Sequence, residues 1–167
     1  MKENSIFTPL QKFVLVALRL LIGWHLLYEG ISKLLTVNWS SMGFLSESKW
    51  ILSGFSSWII SNDGVLKVVD FLNTWGLIAI GLGLIIGLFT RAAAICGTIL
   101  LLLYYFNNPP IIGLEYSLPN EGNYLIVSKT LIEAAALFAL AVFPAGSIAG
   151  LDMLVSRFIC RNHKRKE

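Results

Sequence analysis

The sequence predicts an all-α integral membrane protein: a four-helix bundle with an amphipathic helical loop on its outer face, between the first and second spans. Three observations carry that expectation. The 167-residue chain is 56% hydrophobic and only 14% charged, whereas soluble domains carry about 25% charged residues. Four apolar runs approach the ~20 residues that a membrane crossing needs. With four spans, the lysines and arginines also sort to one side of the membrane. One transmembrane domain accounts for the whole length.

The first span is expected at about 10–35, opened by Pro9, a residue suited to the first helical turn. Its apolar run is too long for the core of a cleavable signal peptide, so it reads as a retained helix. Residues 36–67 form a long outer connection that is not hydrophilic. Trp39, Trp50 and Trp58 stand there among Phe44, Leu45, Ile51, Leu52, Phe55 and Ile59 at helical spacing. Tryptophan favours the membrane interface, so one or two amphipathic helices are expected along the outer leaflet. They serve either as an anchor or as a lid over a site. Asn62-Asp63-Gly64 reads as the turn that ends this region.

The second span is expected at about 68–89 and the third at about 91–106, joined by a tight turn at Thr90-Arg91. Gly76, Gly83 and Gly87 share a helix face, with Gly81 elsewhere, and Gly83-x-x-x-Gly87 reads as a close-packing motif. The loop holding Pro109, Pro110, Glu115 and the 119–122 turn is expected over the outer mouth of the bundle. The fourth span follows at about 124–143. Pro144, Gly146 and Gly150 then break the helix ahead of a short segment at 151–159 and a basic tail at 157–167.

Lys2, Lys12, Arg91, Arg157, Arg161, Lys164, Arg165 and Lys166 share one side of this topology, with Lys49 and Lys67 opposite. Both termini are therefore expected in the cytoplasm. The basic tail suits topology setting and contact with anionic lipid, not nucleic acid. Cys96 and Cys160 form no Cys-x-x-Cys pair, which leaves metal ribbons and dithiol chemistry without support. No metal ligand set is expected, and no flavin or nicotinamide fingerprint is present.

The chemistry is expected where charge enters the membrane. An ionisable side chain there costs on the order of 2.5–3.5 kcal/mol, and marks a functional site by default. Arg19, His25, Glu29 and Lys33 fall at roughly 0°, 240°, 280° and 320° around the first helix, one arc about 120° wide. On the ~1.5 Å rise per residue, His25 lies near the midplane, with Glu29 roughly 8 Å and Lys33 roughly 14 Å outward. The fourth helix runs inward, so Glu133 matches His25 in depth and Lys129 matches Glu29. Arg19, Lys33 and Lys129 balance Glu29, Asp70 and Glu133, which supports a buried polar network. The expected contacts are Glu29 with Lys129, His25 with Glu133 and Lys33 with Asp70. Arg19, deeper on the cytoplasmic side, would meet Asp152 or backbone carbonyls.

Histidine beside carboxylates suits proton transfer near neutral pH. Candidate catalytic groups are thus His25, Glu29, Lys129 and Glu133. Trp24, Tyr28, Lys33, Asp70 and Asn73 are candidates to line a bound ligand. The plainer alternative is that the charged pairs only fix helix register. The only other histidine, His163, sits in the tail, so a bis-histidine haem within this chain is not expected.

These residues carry a resemblance to a known family. Arg19, Gly23, Gly30 and Lys33, the turn Gly-Leu-Phe-Thr-Arg-Ala-Ala at Gly87 to Ala93, and Pro144, Gly146 and Asp152 after the last span resemble the DoxX/DoxD family of small four-helix membrane proteins. The long aromatic first loop looks closer to the DoxD-like branch. That branch is associated with thiosulfate:quinone oxidoreductase, in which a DoxD-like membrane subunit works with a second subunit. The resemblance implies electron transfer to a quinone, menaquinone or ubiquinone, and a periplasmic or membrane redox partner that holds any flavin or haem. A multi-pass protein of the bacterial inner membrane is the resulting expectation, with a homo-oligomer among its partner options. The rival expectation is a non-enzymatic scaffold or small-solute carrier with a buried charged network.

Overall fold

The computed structural model describes residues 7–111, 113–114, 116, 123–143 and 150–152. The basic tail at 157–167 with Cys160 and His163, Glu115, the 119–122 turn, and Pro144 and Gly146 lie outside the described residues.

Helix α1 runs from Pro9 to Leu35. Thr8 and Gln11 close its start reciprocally, each side chain bonding the other's backbone N–H, with Pro9 in the first turn. Two short helices follow, α2 at Met42–Ser46 and α3 at Ser53–Ile60. Helix α4 spans Asp63–Ile86 and α5 spans Thr90–Asn107. The expected Asn62-Asp63-Gly64 turn is instead the start of α4, which therefore begins earlier than the hydropathy suggests. At its far end Gly87 adopts a left-handed conformation (φ 71°), and the Gly87 and Leu88 N–H groups both donate to Gly83 O. This is a glycine helix stop, and it ends α4 short of residue 89.

Residues 123–128 correct the fourth span. Asn123–Tyr124 (β1) pairs antiparallel with Val127–Ser128 (β2), and α6 starts only at Lys129, ending at Val142. Ser128 caps α6 by accepting the Leu131 N–H. The apolar hairpin tip Leu125-Ile126 had merged with the helix in the hydropathy pattern. Among the described residues α1, α4 and α5 are long and apolar enough to cross a membrane; α6 has 14 residues.

The four long helices form a ring, α1 on α4, α4 on α5, α5 on α6, and α6 back on α1 along a shorter seam. Ile22, Leu26, Leu77, Leu84, Ala94, Leu101, Leu137 and Leu140 fill its centre. Large side chains such as Leu21, Phe71, Leu72, Ile99 and Phe138 point outward and are more than half exposed, an apolar coat that suits lipid. The chain is an all-α membrane protein.

Close packing follows the expected glycine face only at Gly83, where a Cβ would lie 3.3 Å from Ala93 Cβ on α5. A Cβ on Gly81 would lie 2.5 Å from Leu27 N and 2.7 Å from Gly23 O, so Gly81, Gly23 and Gly30 bring α1 and α4 together. Gly76 faces open space. A small residue earns its place through the partner helix, which a single-helix motif cannot reveal.

Candidate functional site

The charged arc of α1 divides between two ends of the bundle. Arg19 is 3% exposed and points toward the α4–α5 turn. A Cβ on Gly150 would come within 3.2 Å of Arg19 Nη1 and 2.8 Å of Gly87 Cα. The Asp152 carboxylate accepts the Phe89 N–H at 2.7 Å and the Thr90 N–H at 2.9 Å, capping α5, and the Asp152 N–H donates to Gly87 O. Phe89 sits at φ 51°, a strained turn held shut by that carboxylate. Asp152 also acts electrostatically on Arg19. This end is a latch.

Toward the α2–α3 end the bundle opens into a cavity of about 550 Å³. Its depth-matched pair is in contact: His25 Nδ1–H donates to Glu133 Oε1 at 2.7 Å, joining α1 to α6. One turn up α1, Glu29 also faces the cavity, with Lys129 and Thr130 opposite on α6. Lys33 completes the α1 wall. Its Nζ is 3.5 Å from Glu29 Oε2 and lies over the rings of Trp39 (5.5 Å) and Tyr104 (5.6 Å). Asn73 stands across from it on α4, its Oδ1 accepting from the Tyr104 hydroxyl at 2.5 Å. Leu26, Leu77 and Leu101 supply the apolar floor.

The connection after α1 makes the roof. Trp39, Ser40, Ser41, Gly43 and Phe44 line the cavity from above. Asp70 on α4 accepts both the Ser41 N–H (2.7 Å) and the Ser41 hydroxyl (2.5 Å). Buried Asn107, at the end of α5, accepts from Ser56 and donates to Phe44 O. Phe44 meets the Tyr104 ring edge-on. Roof and bundle are therefore stitched at two polar points around an aromatic contact.

His25, Glu29, Lys33, Asn73, Lys129 and Glu133 thus share one cavity. Three sequence expectations need correction. Asp70 holds the roof and does not pair with Lys33. In the register set by Gly23 against Ile85 and Gly30 against Ile78, Lys33 is level with Trp75 and Asp70 with Asn38, about one helical turn further out. Glu29 is engaged by Lys33 on its own helix, and no Glu29–Lys129 ion pair forms among the described residues. Trp24 and Tyr28 lie outside the cavity, 64% and 63% exposed. At roughly 140° and 180° on the helical wheel, they stand about 100° away from His25 and Glu29.

Sequence reading missed Tyr104, Ser41 and Thr130; comparing the depth of Tyr104 with that of Lys33 would have singled it out. Trp39 and Phe44 were legible as part of an aromatic loop, either an anchor or a lid, and the structure places them over the cavity.

The site has two polar wings on an apolar floor. His25, on its α1 wall, has a side chain 55% exposed. Such a cavity can hold a ligand with a hydrogen-bonding head and exchange protons with it. Among the described residues no cluster of His, Cys, Asp or Glu could hold a metal ion.

Comparison with known proteins agrees with the architecture. No curated protein and no solved structure matches the chain. A family model, DoxX, matches residues 14–107, more than half of the length. That stretch runs through α1 to α5, from the Arg19–Lys33 arc to Tyr104, and stops before α6 with Lys129 and Glu133. On that match, the chain belongs to the DoxX family.

Proposed function

We propose that this protein is the quinone-binding membrane subunit of a bacterial inner-membrane oxidoreductase, similar in role to DoxD-like thiosulfate:quinone oxidoreductase subunits. Electrons pass to the quinone pool from a periplasmic donor or partner subunit that carries the other redox centre. Both termini are cytoplasmic on the distribution of Lys and Arg, which puts the cavity in the outer half of the membrane.

One observation carries this reading. The His25–Glu133 pair, which joins α1 to α6 with the His25 side chain half-exposed, lines a cavity of about 550 Å³. A head group with two carbonyl acceptors needs donors, and His25, Lys129 and Thr130 offer them on adjacent helices. The volume falls within the ~300–1,000 Å³ of small-molecule sites. Leu26, Leu77, Leu101 and Phe44 suit a planar apolar ring. The half-exposed His25 side suits an isoprenoid tail left in the bilayer.

The residues divide the work. His25, oriented by Glu133, donates to the head group and carries a proton for it. Lys129 supplies a fixed positive charge opposite Glu29, where negative charge builds up on reduction. Glu29 and Lys33 keep the roof end of the cavity polar while remaining charge-balanced. The bound quinone supplies the reversible acceptance of two electrons and two protons.

The test is binding of menaquinone and ubiquinone to the protein in lipid nanodiscs. Wild type is expected to bind one of them, and His25→Leu and Glu133→Gln to weaken it by about tenfold or more, as loss of a charge-assisted hydrogen bond implies. Failure of wild type to bind either quinone, or equal binding by the variants, overturns the reading.

A further inference from the structure

The polar groups of the cavity are distributed in one direction only. Above His25 and Glu133, toward the roof, they continue turn by turn: Glu29 and Lys129, then Lys33 with Tyr104 and Asn73, then Ser41 with Asp70. The steps from His25 to Glu29 to Lys33 are about 6 Å each along the helix axis, a gap that one water bridges in a polar, roomy cavity. At the top, Ser40 and Gly43 line the cavity and are themselves exposed. The file of exchangeable groups therefore reaches the surface.

Below the pair, among the described residues, the file does not continue: the buried Thr98 hydroxyl on α5 is turned back on Ala94 O at 2.8 Å, and the rest is apolar. Ile22, one turn beneath His25, is 7% exposed, and Leu137, one turn beneath Glu133, is fully buried. Leu84 and Leu140 pack against them, at 0% and 1% exposure, with Ala94 and Ala141 in the same cluster. This plug is built of apolar side chains, with the Thr98 hydroxyl beside it spent on Ala94 O. Beneath it Arg19, Asp152 and the Gly87 turn are closed by mutual contacts. A proton on His25 or Glu133 has a stepped route to the α2–α3 side and a packed hydrocarbon barrier on the other.

We propose that the cavity exchanges protons and water with the α2–α3 side of the membrane alone. Whatever ligand it holds, protons taken up or released there come from or go to that side, so any proton-coupled reaction in this protein is sided. Glu29, Lys33, Tyr104 and Lys129 line the route, and the Ile22–Leu84–Leu137–Leu140 plug is its floor. The inference goes beyond the quinone reading and stands without it.

Thiol accessibility tests it directly. In a Cys96→Ser, Cys160→Ser background, His25→Cys and Thr130→Cys are introduced singly into the full chain. They are treated in sealed membrane vesicles of each orientation with a small, charged, membrane-impermeant thiol reagent. Ser57→Cys on exposed α3 and Arg91→Cys at the opposite end mark the two sides. Both cavity positions are expected to react at least ten times faster from the side that labels Ser57→Cys. Thr130→Cys carries the test if His25→Cys does not fold. Reaction from the Arg91 side, comparable reaction from both sides, or no reaction from either overturns the proposal. None of these outcomes depends on quinone binding, so the two readings fail separately.

Discussion

Arg19 and His25 lie on one face of one helix, about 9 Å apart along its axis, yet they belong to different kinds of place. Arg19 is packed into a closed end where a turn, a glycine and an aspartate fit against it. His25 lines an open cavity beside a carboxylate on a neighbouring helix. Arg19 and the Gly87–Ala93 turn of the closed end fall within the residues that the family model matches. The groups suited to chemistry are at the open end, and two of them, Lys129 and Glu133, lie beyond the residues that the family model matches. A charge within the membrane is thus no single kind of evidence. Its meaning depends on whether protein closes around it or leaves room beside it.

The comparison predicts that substitutions at the closed end destabilise, and that those at the open end change binding with little loss of stability. The largest effect is expected from Asp152→Ala. It removes two backbone caps of α5, typically ~0.5–2 kcal/mol, and a carboxylate that acts electrostatically on buried Arg19. Thermal unfolding in detergent should show a large drop in midpoint or no folded protein. A midpoint near wild type would mean that the latch is not what holds this end.

Gly81→Ala comes next, at about 1–3 kcal/mol of overpacking. Its new Cβ would press on the backbone of Leu27 and Gly23, and backbone yields only if α1 and α4 separate. Gly76→Ala on the same helix meets nothing and is expected to be neutral or to gain up to ~1 kcal/mol from helix propensity. The pair separates helix contact from helix propensity in a single unfolding series. Equal destabilisation by both would remove the α1–α4 crossing from the account.

This glycine contrast also shows what the sequence could and could not say. Hydropathy and charge placement located the long helices, and a depth rule of ~1.5 Å per residue brought His25 to Glu133. The same wheel arithmetic, applied one residue further, would have turned Trp24 and Tyr28 toward lipid. Asp70 was assigned the wrong partner because relative depth in α1 and α4 follows the Gly23, Gly30 and Gly81 crossing, not the midpoints of the apolar runs. The roof was legible as an aromatic, amphipathic stretch, either an anchor or a lid, but the bonds that seat it were not. Asp70 with Ser41 and Asn107 with Ser56 place it, and these are long-range bonds with no local pattern. The hairpin before α6 was hidden because Leu125-Ile126-Val127 is as apolar as a span.

Tyr104→Phe is the third prediction. It deletes one oxygen, keeps the ring against Lys33 and Phe44, and removes the α4–α5 hydrogen bond to Asn73. Interhelical hydrogen bonds in membranes average ~0.6 kcal/mol, so a small shift in unfolding midpoint is expected. A loss comparable to Asp152→Ala would make the open end a stability element too, and would erase the contrast.

The smallest stability effect, and the sharpest test of the contrast, is expected from Glu133→Gln. Glutamine is close in size and keeps an oxygen that can accept the His25 Nδ1–H, so the α1–α6 link survives in shape. The negative charge is lost, and with it the orienting partner of a protonated imidazole. If the pair exists to fix register, binding should be unchanged, because the hydrogen bond that sets the register remains. If it serves a ligand, unfolding should shift by only a few tenths of a kcal/mol, within the ~0.6 kcal/mol scale of such bonds, while ligand affinity falls about tenfold. Measuring both quantities on the same nanodisc preparation separates the readings, since only a site loses affinity while the link is kept. Destabilisation as large as that of Asp152→Ala would place His25 with Arg19, as a second latch in the same helix.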